Sequence, residues 1–241
     1  MSTLESIINS AKVFSFDIDG TLIDSYTYMR DVIQILLLYL GVPASMLEML
    51  TDEVYRSWYE LEKEGVLDYG KFHYLLEDFA RKHSVSVRYD VGSFQELLFE
   101  ARVKGSELCR CAVKLLSELK KRGKIVVSVS AGDGVPGMKH KRIIESGLAP
   151  LFDRILVVQE DVPSRVEAWM KLEEEFKTPR DEIVHVDDRP RLALEAFNAG
   201  LKAIVVKTGF YDPYFNLPGS IPAVDSLCTL LDMVVKLPLK Q

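Results

Sequence analysis

Two aspartates, Asp17 and Asp19, are separated by one residue in the stretch FSFDIDGTLIDS, residues 14–25. In a β-strand, residues i and i+2 point to the same face, so both carboxylates are expected on one side. At about 4 Å and an effective dielectric constant of about 20, the two charges repel by about 4 kcal/mol. A purely structural role does not explain this cost, so the pair predicts a bound cation or a shared proton.

A second acidic pair, Asp187 and Asp188, follows another apolar run in the stretch EIVHVDDRP, residues 182–190. If both runs are parallel strands, the four carboxylates lie at the carboxyl edge of the sheet, where α/β proteins bind ligands. Carboxylate oxygens at that edge could converge on one hard divalent cation such as Mg²⁺. An aspartate could instead cap the helix expected from Pro190, but capping explains one acid and not two.

The elements that would hold these acids alternate between short β-like runs and helical patterns, which is typical of an α/β domain with a parallel sheet. The runs are rich in valine, isoleucine and phenylalanine, as expected for strands that are covered on both faces. They are residues 12–17, 124–130, 153–158, 182–187 and 202–207. Helices are expected between them, for example within residues 106–123 and 189–200.

Residues 25–104 interrupt this alternation with helix-period apolar spacing and only one weak strand candidate, VSVRY at residues 85–89. The predicted organisation is an α/β core domain with a Rossmann-like parallel sheet, residues 1–24 and 105–241, and a mostly helical cap domain, residues 25–104. Because the insertion begins directly after the first acidic pair, we expect it to act as a lid that selects the substrate.

The composition indicates an ordinary globular chain, with 48% hydrophobic residues and a formal net charge of −6. This acidity disfavours non-specific binding to nucleic acid or anionic membranes. The longest apolar run, residues 32–40, is too short to span a bilayer, and no signal peptide is recognisable. A cytoplasmic location is therefore expected. Three cysteines, Cys109, Cys111 and Cys228, form no C-x-x-C pair and are predicted to be buried reduced thiols.

The four motifs together resemble the haloacid dehalogenase superfamily, most of whose members are magnesium-dependent phosphatases. The resemblance rests on FSFDIDGTLIDS for the first motif and IVVSVSAG for the second. VPSRVEAW occupies the place of the third motif, and IVHVDDRPRLALEAFNAG matches the fourth. It covers essentially the whole chain and implies an HAD-like α/β fold with a cap inserted after the first motif.

The resemblance also implies roles for the first-motif residues. Asp17 is similar to the nucleophile that forms an aspartyl-phosphate. Asp19 is similar to the general acid and base that protonates the leaving oxygen and then activates water. Gly20 would allow the sharp turn after the strand, and Thr21 would offer a hydroxyl to the loop or to the phosphate.

The resemblance further implies a phosphate site and a metal site. Ser130 corresponds to the second-motif hydroxyl that binds phosphoryl oxygens, with Ser128 as the alternative. Asp187 and Asp188 correspond to the acidic pair that holds Mg²⁺, together with Asp17 and Asp19. Which of Asp187 and Asp188 binds the metal directly is left open, with Asp188 favoured.

The third motif departs from the family pattern, because a lysine is usual there. Arg165 is the best-spaced cation, and Lys171 is a second candidate further along the same predicted helix. Arginine keeps the charge and can bind phosphate through its planar guanidinium group, but it is not a compact point charge like lysine.

These features predict a magnesium-dependent phosphatase that hydrolyses a small phosphorylated metabolite through an aspartyl-phosphate. A phosphotransferase or phosphomutase that uses the same intermediate is the alternative, and a non-catalytic module that binds phosphorylated ligands is a weaker one. Dehalogenation is disfavoured because dehalogenases of this family carry no acid at the position of Asp19.

His185, which alternates within a strand, is predicted to be a core histidine. The sequence indicates neither the substrate nor the oligomeric state.

Overall fold

A computed structural model describes residues 3–237 of the 241-residue chain. Within them lie ten α-helices, eight strands and three short 3₁₀ helices. The strands are β1 (Val13–Phe16), β2 (Ile23–Asp24), β3 (Glu107–Leu108), β4 (Ile125–Ala131), β5 (Arg154–Val158), β6 (Ile183–Asp187), β7 (Lys202–Val206) and β8 (Ala223–Val224). The helices are α1 (Thr3–Ser10), α2 (Met29–Tyr39), α3 (Ala44–Glu64), α4 (Phe72–Lys82), α5 (Val91–Lys104), α6 (Ala112–Lys121), α7 (Met138–Glu145), α8 (Arg165–Phe176), α9 (Pro190–Asn198) and α10 (Leu227–Val234).

Six strands form one parallel sheet in the order β5-β4-β1-β6-β7-β8, while β2 and β3 form a separate two-stranded sheet. Alternate residues of the central strands enter two apolar layers, one on each face. On β1, for example, Phe14 and Phe16 belong to the layer with α6 and α10, whereas Val13 belongs to the layer with α8. This burial on both faces explains the nearly continuous apolar runs of the sequence.

The five predicted strands are confirmed as β1, β4, β5, β6 and β7. The helix expected in residues 106–123 begins only at Ala112, because β3 occupies its first residues. The weak strand candidate at residues 85–89 is wrong, since these residues form neither strand nor helix. The sequence patterns gave no separate indication of α5, which Asp90 begins by accepting a hydrogen bond from the backbone N–H of Ser93.

The chain divides into two compact units. The core unit comprises Met1–Asp24, Leu108–Ala131 and Ile143–Gln241, and the helical unit comprises Ser25–Glu107 and Gly132–Arg142. The sequence-based boundaries placed residues 132–142 in the core domain, whereas these residues cluster with the helical unit. The segment that follows β4 is therefore shared between two units, which sequence order alone does not indicate.

Close backbone packing explains why residues 132–142 belong to the helical unit. A Cβ atom at Gly70 would lie 2.5 Å from the carbonyl oxygen of Gly134, and a Cβ at Gly134 would lie 2.0 Å from Asp68 Oδ1. Gly134 also has a positive φ of 74°, which favours glycine. The two segments therefore pack together at a distance that only glycines allow.

A buried ionic cluster joins the same segment to α5. The Asp133 carboxylate accepts hydrogen bonds from Arg102 Nη1 at 3.1 Å and from Arg142 Nη1 at 3.0 Å to its other oxygen. Lys139 Nζ lies 3.0 Å from Asp133 Oδ1, and Arg142 Nη2 donates to Ser25 Oγ at 2.7 Å. The four charged side chains are nearly inaccessible to solvent. Asp133 thus lies at the centre of the polar interior of the helical unit.

Asp133→Asn is expected to destabilise the helical unit by about 3–5 kcal/mol, because the variant leaves three buried cations without the carboxylate that all of them contact. Trp58 is buried in the helical unit and Trp169 in the core unit, and the chain has two tryptophans. In a Trp169→Phe background, urea unfolding followed by tryptophan fluorescence therefore reports on the helical unit alone.

The matched control is Glu100→Gln, which removes an exposed carboxylate that pairs with Lys104 on α5. An exposed pair of this kind is worth about 0–1 kcal/mol. If the two variants shifted the unfolding midpoint equally, Asp133 would not have the structural role assigned to it.

The cysteine prediction is wrong for two of the three residues. Cys111 and Cys228 form a disulfide across a sequence separation of 117 residues, whereas Cys109 is a free, partly buried thiol. Cys111 directly precedes α6 and Cys228 lies in α10, and these two helices pack against each other. The pairing depends on tertiary packing and leaves no local sequence signal.

Among residues 3–237, no helix combines the length and the apolar character that crossing a lipid bilayer requires.

Candidate active site

Three buried carboxylates meet at the carboxyl edge of the parallel sheet. Asp17 directly follows β1, Asp187 is the last residue of the neighbouring β6, and Asp188 is the next residue. Because Phe16 pairs with Val186 in the parallel register, Asp17 and Asp187 lie at the same level. One carboxylate oxygen from each of the three residues lies within 4.8 Å of the other two. The predicted convergence of Asp17, Asp187 and Asp188 is therefore present in the fold.

Asp19 does not belong to this three-carboxylate group. The strand ends at Phe16, and the chain then turns, with a backbone bridge between Asp19 and Ile23 and a positive φ of 81° at Gly20. The alternation of side chains between the two faces of the strand therefore stops before Asp19. Strand geometry does not place the Asp17 and Asp19 side chains on one face, although the sequence pattern predicted this arrangement. Asp19 is half-buried, and its charge still contributes to raising the pKa of Asp17.

Asp187 is held by two donors of the core unit. His185 Nε2 lies 3.2 Å from Asp187 Oδ2, and the backbone N–H of Arg189 donates to Asp187 Oδ1 at 2.8 Å. Burial acts to raise the pKa of Asp187, but the interactions with His185, the charge of Arg165 and the Arg189 N–H together lower it. Asp187 is therefore the member of the group that most favours the ionised state.

Asp188 is fixed by residues from two other loops. The Thr21 hydroxyl donates to Asp188 Oδ1 at 3.3 Å and accepts from the Asp188 backbone N–H at 3.0 Å. The backbone N–H of Phe210 donates to Asp188 Oδ2 at 2.7 Å. Burial and the charge of Asp187 raise the pKa of Asp188 to about 8. The Thr21 hydroxyl, which was expected to serve the loop or the phosphate, thus donates its proton to Asp188.

The loop after β7 contributes site residues that the sequence analysis did not identify. A Cβ atom at Gly209 would lie 2.1 Å from Asp188 Oδ2 and 2.8 Å from the Cα of Gly20. The neighbouring Thr208 hydroxyl donates to the Gly20 carbonyl oxygen at 2.7 Å. The glycine therefore lets this loop approach both the first-motif turn and Asp188. The dipeptide TG directly after a predicted strand was the available signal, because ligand sites gather at that edge.

Asp17 lies in an electrostatic environment that disfavours its charge. Burial raises its pKa well above the ordinary value, and the charges of Asp187 and Asp188 raise it further. Arg165, the first residue of α8, lowers the pKa of Asp17 and also that of Asp187. Arg165 is therefore the α8 cation that acts on this group, which favours it over Lys171 for the third-motif role.

Arg165 lies at the first position of α8 because Ser164 caps that helix. The Ser164 hydroxyl accepts a hydrogen bond from the backbone N–H of Glu167 and donates one to the Glu167 carboxylate. Arg165 Nε is buried and forms no hydrogen bond within residues 3–237. A buried donor of this kind is normally satisfied by a partner, so it could serve a bound anion.

Ser130 lies near the end of β4, the strand on the other side of β1 from β6. Its hydroxyl is buried and has no hydrogen-bond partner in the described part of the chain, and the same holds for Ser128. Ser128 pairs with Phe16, so Ser130 lies two residues further towards the carboxyl edge. This position favours Ser130 over Ser128 as a group that could contact a ligand at the edge.

Helix capping does not explain the second acidic pair. The N-cap residue of α9 is Arg189, and no side-chain hydrogen bond caps this helix. Both acids instead accept hydrogen bonds that hold their carboxylates beside Asp17. The arrangement is suited to hard-cation binding and to phosphate chemistry rather than to helix termination.

Several solved structures share this fold, and three of them illustrate its range. A predicted phosphoglycolate phosphatase from Haemophilus somnus is 19% identical over 93% of this chain and 98% of its own, with a TM-score of 0.64. A Bacillus subtilis protein described as a HAD-hydrolase, YfnB, bound to magnesium, is 18% identical over 93% and 98%, with a TM-score of 0.68. The L-2-haloacid dehalogenase from Xanthobacter autotrophicus, with chloropropionic acid covalently bound, is 16% identical over 95% and 100%, with a TM-score of 0.62.

At sequence identities of 16% to 19%, the similarity to these structures shows a shared fold and does not extend to the substrate. No curated protein sequence matches the chain. Residues 11–200, which include the acidic pairs, Ser130 and Arg165, match the family described as haloacid dehalogenase-like hydrolase. The chain therefore belongs to the haloacid dehalogenase-like hydrolases.

Proposed function

We propose that this hydrolase is a magnesium-dependent phosphatase that acts on a small phosphate monoester through an aspartyl-phosphate at Asp17. The observation that carries the proposal is the group of three buried carboxylates at the sheet edge. Burial and mutual repulsion act against three ionised carboxylates at this spacing, and a divalent cation would relieve both effects. A site with this charge is suited to a cation and a phosphoryl group.

The donor set fits Mg²⁺, because carboxylate oxygens are the protein ligands that this hard cation prefers. Asp17, Asp187 and Asp188 would hold the ion, and Asp19, which lies outside their group, is retained only as the acid and base. When bound, Mg²⁺ would neutralise negative charge on the carboxylates and on the phosphoryl oxygens of the substrate. The bonds from Thr21 and Phe210 to Asp188 would keep that ligand in place.

The chemical steps belong to the side chains of the core unit. An Asp17 carboxylate oxygen attacks phosphorus, the bond from phosphorus to the ester oxygen breaks, and Asp19 gives its proton to the departing alcohol. Water then attacks the phosphorus of the aspartyl-phosphate, the bond from phosphorus to the Asp17 oxygen breaks, and Asp19 accepts the proton of that water. Inorganic phosphate leaves, and both aspartates return to their starting states.

Arg165 and Ser130 would bind the phosphoryl oxygens. Both residues carry buried donors without a partner in the described part of the chain, which an anionic ligand would satisfy. Thr21, by contrast, is assigned to positioning Asp188 rather than to binding phosphate. The selection of the ester group is proposed to belong to the helical unit, since no catalytic group assigned here lies within it.

The proposal predicts that the protein hydrolyses p-nitrophenyl phosphate with Mg²⁺, and that activity falls to background when a chelator removes the metal. Ca²⁺ is expected not to replace Mg²⁺, because it accepts more ligands at longer distances. The measurement is the release of p-nitrophenol and of inorganic phosphate in the same reaction.

The ratio of the two products separates the alternatives. Equal amounts indicate hydrolysis, and a deficit of inorganic phosphate in the presence of alcohols indicates phosphotransfer or mutase chemistry. Chloride release from 2-chloropropionate without p-nitrophenol release would favour a dehalogenase, the activity of one structural neighbour. Full phosphatase activity in the presence of chelator would contradict the metal assignment.

A further inference from the structure

A buried series of hydrogen-bonded polar side chains leads to the group of three carboxylates. Ser15 on β1 and His185 on β6 are directly paired across the two strands, and Ser15 Oγ lies 3.0 Å from His185 Nδ1. His185 Nε2 lies 3.2 Å from Asp187 Oδ2. Because residues i and i+2 of a strand share a face, His185 and Asp187 point the same way along β6. This series of side chains therefore runs from the interior of the sheet to one aspartate of the candidate site.

The partners of the imidazole ring determine its tautomer. The ionised Asp187 carboxylate can only accept a hydrogen bond, so Nε2 must carry the proton. In a neutral imidazole Nδ1 is then an acceptor, and the Ser15 hydroxyl donates to it. Both ring nitrogens of His185 thus have a complementary partner, and its N–H is directed at Asp187.

Packing alone does not explain a histidine at this position. His185 is fully buried, and its ring makes an edge contact with Trp169 at 5.2 Å between centroids. The neighbouring residues of β6, from Ile183 to Val186, are otherwise aliphatic. Burying a polar ring costs free energy that an aliphatic residue would avoid, unless hydrogen bonds compensate for it. The ring is buried at a position where both of its nitrogens have partners.

We propose that His185, held in one tautomer by Ser15, is a positioning residue that fixes the Asp187 carboxylate for metal binding. This inference rests on the proposed function, because it requires Asp187 to be a metal ligand. The His185 N–H occupies one lone pair of Oδ2 and the Arg189 N–H one of Oδ1, which leaves a lone pair on each oxygen for a cation. With both oxygens held, the carboxylate loses little rotational freedom on binding.

The experiment measures Mg²⁺ affinity by isothermal titration calorimetry and Mn²⁺ affinity by electron paramagnetic resonance, without substrate. His185→Leu removes both hydrogen bonds and is expected to weaken metal binding by about 10–100-fold, as loss of a ligand-orienting group does. His185→Gln places an amide N–H near the position of Nε2 and is expected to restore most of the affinity. His185→Asn places its amide near Nδ1, too far from Asp187, and is expected to bind as weakly as the leucine variant.

Val184→Ala, on the opposite face of the same strand, controls for a general loosening of β6. It is expected to lower the thermal midpoint in chelator while leaving metal affinity unchanged. Equal metal affinity in wild type and in folded His185→Leu, or no difference between the glutamine and asparagine variants, would overturn the inference and leave the proposed function standing. Failure of wild type to bind either metal would overturn the proposed function and this inference with it.

Discussion

Asp17→Asn is expected to reduce kcat for p-nitrophenyl phosphate by about 10⁴-fold or more, the scale seen when a catalytic nucleophile is removed. An amide oxygen cannot attack phosphorus as a carboxylate does, although the side chain keeps its size and shape. The measurement is steady-state release of p-nitrophenol at saturating Mg²⁺, on freshly prepared protein whose mass excludes deamidation.

The matched control is Asp181→Asn, the same exchange at an exposed position of the core unit. It is expected to keep wild-type kcat. The unfolding midpoint of both variants, measured in chelator, establishes that the protein is folded. Wild-type turnover by folded Asp17→Asn would remove Asp17 from the nucleophile role.

Gly209→Ala is expected to weaken Mg²⁺ binding by about 10–100-fold, since displacing a group that orients a metal ligand has effects of this size. The added methyl group would lie 2.1 Å from Asp188 Oδ2, so either Asp188 or the loop after β7 must move. Movement of either one breaks the hydrogen bond from the Phe210 N–H to Asp188. Calorimetric titration with Mg²⁺ measures the effect without any substrate.

Gly147→Ala separates this steric effect from backbone strain. Gly147 also has a positive φ, 76° compared with 47° at Gly209, but no atom lies within 4 Å of its added Cβ. The control variant is expected to lose some stability and to keep its metal affinity. If both variants bound Mg²⁺ as wild type does, the close approach of Gly209 to Asp188 would have no functional role.

The parts of the fold that could be predicted are those with a local signal. Strands buried on both faces leave continuous apolar runs, so β1, β4 and β6 could be located, and with them the acids at the carboxyl ends of β1 and β6. The parallel arrangement then brings Asp17, Asp187 and Asp188 to one edge. The two candidate second-motif serines, Ser128 and Ser130, could be located for the same reason, because both lie in the equally clear strand β4.

The contacts that shape the site could not be predicted, because they join residues distant in sequence. Thr21 forms a hydrogen bond with Asp188 across 167 positions, a partner that the first motif alone does not indicate. The close approach of Gly209 depends on how the loop after β7 folds back onto the first motif.

The domain boundary and the disulfide were missed for a similar reason. Residues 132–142 follow a core strand in sequence but interact with the helical unit through Asp133 and Gly134. Cys111 and Cys228 meet because α6 packs against α10. In both cases three-dimensional packing decides the outcome, and the local sequence resembles that of ordinary loop and helix residues.

The most direct test of the aspartyl-phosphate is to trap it during turnover. Enzyme mixed with p-nitrophenyl phosphate and Mg²⁺ is quenched in acid within one turnover and reduced with borohydride, which converts an acyl phosphate of aspartate to homoserine. Trypsin then releases the peptide from Val13 to Arg30, which contains both first-motif aspartates. Homoserine at position 17, absent when substrate is omitted, is the expected result; release of phosphate with residue 17 still aspartate, or with homoserine at another position, would contradict it.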